Sequence, residues 1–250
     1  MNETPATSDR LAAESAVTKS TLEVAVIAQI AAFLLGLAAA IGFLTNTVKG
    51  QTELKPGMAP LTISFVVLWM VLLAGVAVGR RRTAEPLFGR GPWLKPTDPL
   101  WFLGGVALQF VAGLLYRFLP IDTKTVGDPA KELYDRTGDK ALNIVLLAVC
   151  VAVLAPLVEE LFYRGLVLNA LDQFRQRQGI PGGAWGPILA SAVWFGAIHF
   201  QFLQFPALFL VGVACAAARW RTGRLQPAIL THIGFNLTTV VALIATKGSP

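Results

Sequence analysis

Residues 24–44 read VAVIAQIAAFLLGLAAAIGFL, a run in which Gln29 is the single strongly polar side chain. A bilayer crossing takes about 20 mostly apolar residues, and a helix satisfies its own backbone where no water can do so. The same window finds further spans at about 61–79, 100–119, from 141 past Pro156 into a polar end, 184–200, 203–218 and 225–246. Composition agrees, since 14% of residues are charged, against about 25% in ordinary soluble domains. That shortfall excludes a soluble globular enzyme, a disordered chain and a nucleic-acid-binding module. The net charge of +6 belongs to cytoplasmic loops rather than to a nucleic-acid partner. The expected fold is all-α, a polytopic membrane helical bundle of about seven transmembrane helices.

The first span follows a mixed-charge segment and exceeds the apolar core of a signal peptide. Residues 1–23 are therefore expected to form a cytoplasmic tail ahead of a signal anchor. Basic residues set the orientation. The segments before 24 and at 80–99, 163–183 and 219–224 carry 13 Lys and Arg, against 8 in the alternate set. This predicts the N-terminus in the cytoplasm. Cys150 and Cys215 fall in apolar runs and read as structural.

Residues 24–140 hold almost nothing polar within their spans, whereas 141–246 hold most of what there is. An ionisable group in the hydrocarbon is costly and marks a functional site by default. Both histidines of the chain, His199 and His232, lie in apolar runs. LAPLVEELFYRG places Glu159, Glu160 and Arg164 at or inside the membrane boundary, and Asn236 follows His232 by four residues. Such groups on three helices are best explained by convergence on one site.

Helical spacing then assigns faces. Glu160 and Arg164 share one, with the acid N-terminal to the base. Glu159 lies about 100° around the helix, so the two carboxylates are expected to address different partners, Glu159 facing the cavity. His232 and Asn236 share a face, and Phe195 sits one turn before His199. A carboxylate, alone or with a histidine, can deprotonate water, and imidazole and amide N–H groups can hold an oxyanion. Glu159, His199 and His232 are also a donor set for a divalent metal such as zinc. Both chemistries stay open on these residues.

Other membrane-protease designs are absent: there is no HExxH and no GxSG before a helical histidine. Tyr134–Asp135 and Gly138–Asp139 share one hydrophilic loop, so they read as loop acids. EELFYR (159–164), FGAIH (195–199) and HIGFN (232–236) resemble the EExxxR, FxxxH and HxxxN motifs of the CAAX-protease and bacteriocin-processing membrane proteins, the CPBP or Abi family. The resemblance covers about 141–246 as a catalytic domain, with 24–140 as variable N-terminal helices. It implies a hydrolase, an intramembrane endopeptidase (metalloprotease or glutamate-type) that cuts CAAX-like or bacteriocin-like substrates at the membrane. Carried over by position, Glu159 would activate water with His199 beside it. His232 and Asn236 would hold the oxyanion, while Glu160, Arg164 and Phe195 support the site.

The expected partners are a peptide or protein substrate and the lipid bilayer, with no nucleic acid. The expected location is a bacterial plasma membrane, with the cavity opening to the cytoplasm. Two other functions fit less of the sequence. A non-catalytic scaffold or self-immunity factor would not need every motif intact. A proton-relay transporter should show paired broken helices in two repeats, and the sequence shows no such repeat.

Overall fold

The computed structural model describes residues 21–39, 58–81, 86–89, 91–119, 126–138 and 140–246. These form eight helices: α1 (Thr21–Ala39), α2 (Met58–Arg80), α3 (Asp98–Tyr116), α4 (Asp128–Asp135), α5 (Ala141–Arg177), α6 (Trp185–Ala197), α7 (Phe205–Thr222) and α8 (Gln226–Ala245). No strand occurs among the described residues. The all-α membrane bundle expected from the sequence is therefore the observed fold. Most of the expected N-terminal tail lies outside the described residues, as does Asp139.

Five helices, α1, α2, α3, α5 and α8, are long and apolar enough to cross a membrane. The expected spans at 184–200 and 203–218 become a tighter pair. α6 has 13 residues, and α7 has 18 with Arg219 and Arg221 in its last turn. They pack closely because Gly212 leaves room for Ala192. Local chemistry sets the ends. Proline sits in the first turn of α3, α4, α7 and α8, where its missing N–H costs nothing and its fixed φ suits a helix. α7 stops at Gly223, whose φ of 66° closes the helix in the left-handed conformation that glycine adopts without a Cβ penalty.

α3 lies along α8 at backbone distance. A Cβ on Gly105 would run into the Thr231 carbonyl, and one on Gly234 into the Phe102 carbonyl. Small residues allow this approach, which in a bilayer replaces the hydrophobic effect as the source of helix association. α1 docks by the same means. Ala25, Ala28 and Ala32 are buried, and Ala28 faces Gly75 of α2. The helices before and after residue 141 thus share one packed core.

α5 corrects the sequence reading. The segment 163–183 was expected to leave the membrane after the EELFYR motif. Instead the helix continues to Arg177, and Tyr163, Arg164, Leu166 and Val167 are buried. Two π turns interrupt it, at Cys150–Leu154 and Tyr163–Val167. They bracket the α-helical turns that carry Glu159 and Glu160. Glu159 and Glu160 therefore sit at the middle of a 37-residue helix, which continues past them into a polar tail, Leu168–Arg177.

At one end of the bundle the α7–α8 turn is clamped to the segment preceding α3. Arg224 grips Asp98 with two hydrogen bonds of 2.7 and 2.8 Å and donates a third to the Trp93 carbonyl. The Leu225 N–H donates to Phe88. Arg80, Arg81, Arg175, Arg177, Arg219 and Arg221 gather at this same end, where α2, α5 and α7 finish.

Candidate active site

The π turn at Cys150–Leu154 exposes an acceptor. Ala155 N–H donates five residues back, to Cys150. Pro156 has no N–H, so the Val151 carbonyl has neither its α-helical nor its π-helical donor. Asn236 of α8 supplies one from its side-chain amide, at 3.0 Å. The second N–H of that amide is left toward the cavity that Asn236 lines.

Four residues further on, Glu160 and Arg164 form a sealed pair. Arg164 Nη1 donates to Glu160 Oε1 at 2.8 Å, and Nη2 donates to the Gly212 carbonyl at 2.8 Å. Both side chains are fully buried. Removing one member of such a pair strands a charge in the interior. The guanidinium carbon also lies 4.8 Å from the centroid of the Phe195 ring, a cation–π distance.

His232 contradicts the expectation that the two carboxylates address different partners. Its Nδ1 is 2.8 Å from Glu160 Oε1, and its Nε2 is 3.8 Å from Glu159 Oε2. The 100° between the glutamates is spanned by one imidazole, whose two nitrogens lie on separate edges. Nδ1 faces a carboxylate oxygen and so donates its hydrogen. Glu159 differs from its neighbour in exposure: its side chain is 20% exposed and lines the cavity, while that of Glu160 is wholly enclosed.

His199 completes the group from α6. Its Nδ1 is 2.7 Å from the Phe195 carbonyl, which can only accept, so Nδ1 carries hydrogen and Nε2 is free. Phe200, immediately after it, has a φ of 53°, an uncommon conformation for a bulky side chain. The Phe195 ring sits among four partners at once. It makes edge contacts with Tyr163, His199 and His232, besides the Arg164 contact. The structure brings all seven expected residues, Glu159, Glu160, Arg164, Phe195, His199, His232 and Asn236, to one region. Five of them, Glu159, Phe195, His199, His232 and Asn236, line a single cavity of about 640 Å³.

Two polar residues escaped the sequence reading. Gln29 of α1 accepts a 2.5 Å hydrogen bond from the Tyr163 hydroxyl, which ties α1 to the ring stack around Phe195. Gln109 of α3 lines the cavity. Each is an amide inside an apolar span: Gln29 reads from the sequence as an interruption of its run, and Gln109 is not singled out there at all.

The expected metal set is not assembled. Among the described residues, the trio whose ligand atoms lie within 4.8 Å of one another is Glu160, Cys215 and His232, not Glu159, His199 and His232. By donor type that trio could hold a metal ion. Glu160 Oε1 already holds the Arg164 guanidinium, while Glu160 Oε2 is buried without a hydrogen-bond partner among the described residues and is the oxygen that could face an ion.

The cavity extends toward the end of the bundle bearing Tyr116, α4 and the α6–α7 turn. That rim is tied by Tyr116 Oη donating to the Leu203 carbonyl and Gln204 donating to the Val126 carbonyl. It lies opposite the arginine-rich end. The N-in orientation and a cytoplasm-facing cavity, both expected from the sequence, therefore cannot hold together.

Residues 141–238 match the Rce1-like family, type II CAAX prenyl endopeptidases. An uncharacterized 24.3 kDa protein of Escherichia coli is 31% identical over 179 residues, covering 69% of this chain and 76% of that protein. No solved structure matches. The chain belongs to the Rce1-like family of CAAX-type membrane proteases.

Proposed function

We propose that the protein is a glutamate-type intramembrane endopeptidase acting on peptides that reach the cavity from the membrane. The observation that carries this reading is the unequal pair of glutamates on one histidine. Glu160 is sealed against Arg164 and holds His232 by Nδ1, which leaves Glu159 open to the cavity beside Nε2.

In this reading Glu159, assisted by His199, takes a proton from water as its oxygen attacks the scissile carbonyl. The spare amide N–H of Asn236, joined by His232 Nε2 when that nitrogen carries hydrogen, donates to the oxyanion. As the tetrahedral intermediate collapses, the C–N bond breaks and the proton held by Glu159 passes to the leaving amine. Glu160 and Arg164 fix the imidazole without touching substrate. The family match supports a CAAX-like substrate, a modified cysteine followed by three residues. The bias of basic residues supports a cytoplasmic arginine-rich end in a bacterial plasma membrane, so that the cavity opens on the opposite face.

The test is cleavage of quenched peptides, prenylated and unprenylated, by the full chain in liposomes. Glu159→Ala and His232→Ala should each lower the rate roughly 10²- to 10⁴-fold, the usual worth of a general acid–base group. Chelator should leave the wild-type rate unchanged; loss of activity to chelator would overturn the glutamate-type mechanism. No cleavage of any peptide by folded wild-type protein would overturn the peptidase reading and favour a scaffold.

A further inference from the structure

Gln109 sits midway along α3, and its side-chain oxygen is buried without a hydrogen-bond partner. An enclosed amide acceptor without a protein partner is costly, and Gln109 lines the cavity that holds Glu159 and His232. Its place along the bundle follows from the α3–α8 contact. Gly105 lies against Thr231 and Phe235, and α3 and α8 run in the same direction from the Asp98–Arg224 clamp. Gln109, one turn beyond Gly105, is therefore level with about residue 238 of α8, roughly 9 Å along the axis from His232 at 1.5 Å per residue. An extended peptide rises about 3.3 Å per residue, so Gln109 stands about three residues from a carbonyl held at His232.

The reacting groups described above are also short of acceptors. Asn236 and His232 offer donors to a carbonyl, while Glu159 is committed to water. A bound peptide presents N–H groups as well as carbonyls, and these too need partners once inside an apolar cavity. The α3 surface on either side is small or flat, with Ala112, Gly113 and Tyr116 following Gln109 along the lining. A main chain can lie against that surface without obstruction.

We propose that Gln109 is a substrate-binding residue, whose oxygen accepts a backbone N–H of the peptide about three residues from the scissile bond. This rests on the peptidase reading for its substrate but is tested by binding. The probe is a fluorescent farnesylated heptapeptide ending in cysteine and three apolar residues, together with a series N-methylated at each backbone position in turn. Affinities are measured on the full chain carrying Glu159→Gln, with and without Gln109→Met, which keeps the side-chain volume and removes the acceptor.

The unmethylated peptide should bind the Gln109→Met protein roughly three- to tenfold more weakly, the effect of one hydrogen bond. One N-methylated peptide should lose the same factor on the protein that retains Gln109 and nothing further on the variant. Equal affinities for the two proteins, or a methylation penalty that persists without Gln109, would overturn the proposal. Cleavage by the same pair with Glu159 intact separates the two ideas. Gln109-dependent binding without cleavage would keep this proposal and remove the hydrolytic one, and cleavage indifferent to Gln109 would do the reverse.

Discussion

Glu159 and Glu160 are adjacent in the chain and reach the same imidazole, yet substitution should separate them cleanly. Glu160→Gln removes a charge that neutralises the enclosed Arg164, so it should destabilise the protein by about 3 kcal/mol, as breaking buried pairs does. Glu159→Gln should leave the melting temperature near the wild-type value while abolishing cleavage. Thermal unfolding in detergent beside an activity assay checks both, and a Glu159→Gln protein that melts far below wild type would contradict the assignment. These residues were legible in the sequence because ionisable groups stand out against apolar runs. Their sharing of His232 was not, since spacing fixes the direction of a side chain on its own helix and says nothing about the width of its partner. Gln29 and Gln109 differ from these residues because a lone neutral amide belongs to no motif, so its role shows only once its surroundings are seen.

At the scale of the element, α5 owes its shape to two π turns and to what fills the gap each one leaves. Asn236→Ala would strip the Val151 carbonyl of its donor, costing about 1–3 kcal/mol for an unpaired buried acceptor. Asn236→Asp should be no better, because a carboxylate cannot donate to that carbonyl. Both should lower the melting temperature, and a wild-type value for either would show that the carbonyl has another partner. The α3–α8 contact makes a second demand. Gly105→Ala forces a methyl into the Thr231 backbone and should cost roughly 1–3 kcal/mol by overpacking, measurable by the same melt. Helix existence was legible from hydropathy almost throughout. The length of α5 was not, because its last ten residues, Leu168–Arg177, are polar and a window that looks for apolar runs ends before them. α4 was missed as well, being eight polar-faced residues in what read as a loop.

For the whole molecule, orientation follows from which charges remain free. Two of the arginines counted toward the cytoplasmic set, Arg164 and Arg224, are consumed by Glu160 and Asp98, which narrows the bias without reversing it. With engineered cysteines in place of Arg221 and Ala130, an impermeant thiol reagent applied to intact cells should label the Ala130 position, on α4, and spare the Arg221 position. The opposite pattern would place the cavity in the cytoplasm and the N-terminus outside. Whole-molecule integrity rests on the Asp98–Arg224 clamp. Asp98→Ala should cost about 3 kcal/mol by stranding the arginine, and should release the segment around Trp93, detectable as faster proteolysis there.

The cavity has walls of two kinds, and they come from different parts of the chain. Every group proposed to take part in bond cleavage lies within the stretch that matches the family, residues 141–238, whereas Phe65, Trp69, Gln109 and Tyr116 come from helices ahead of it. A change at Phe65, Trp69, Gln109 or Tyr116 would therefore alter what the cavity grips while leaving the groups of bond cleavage where they are.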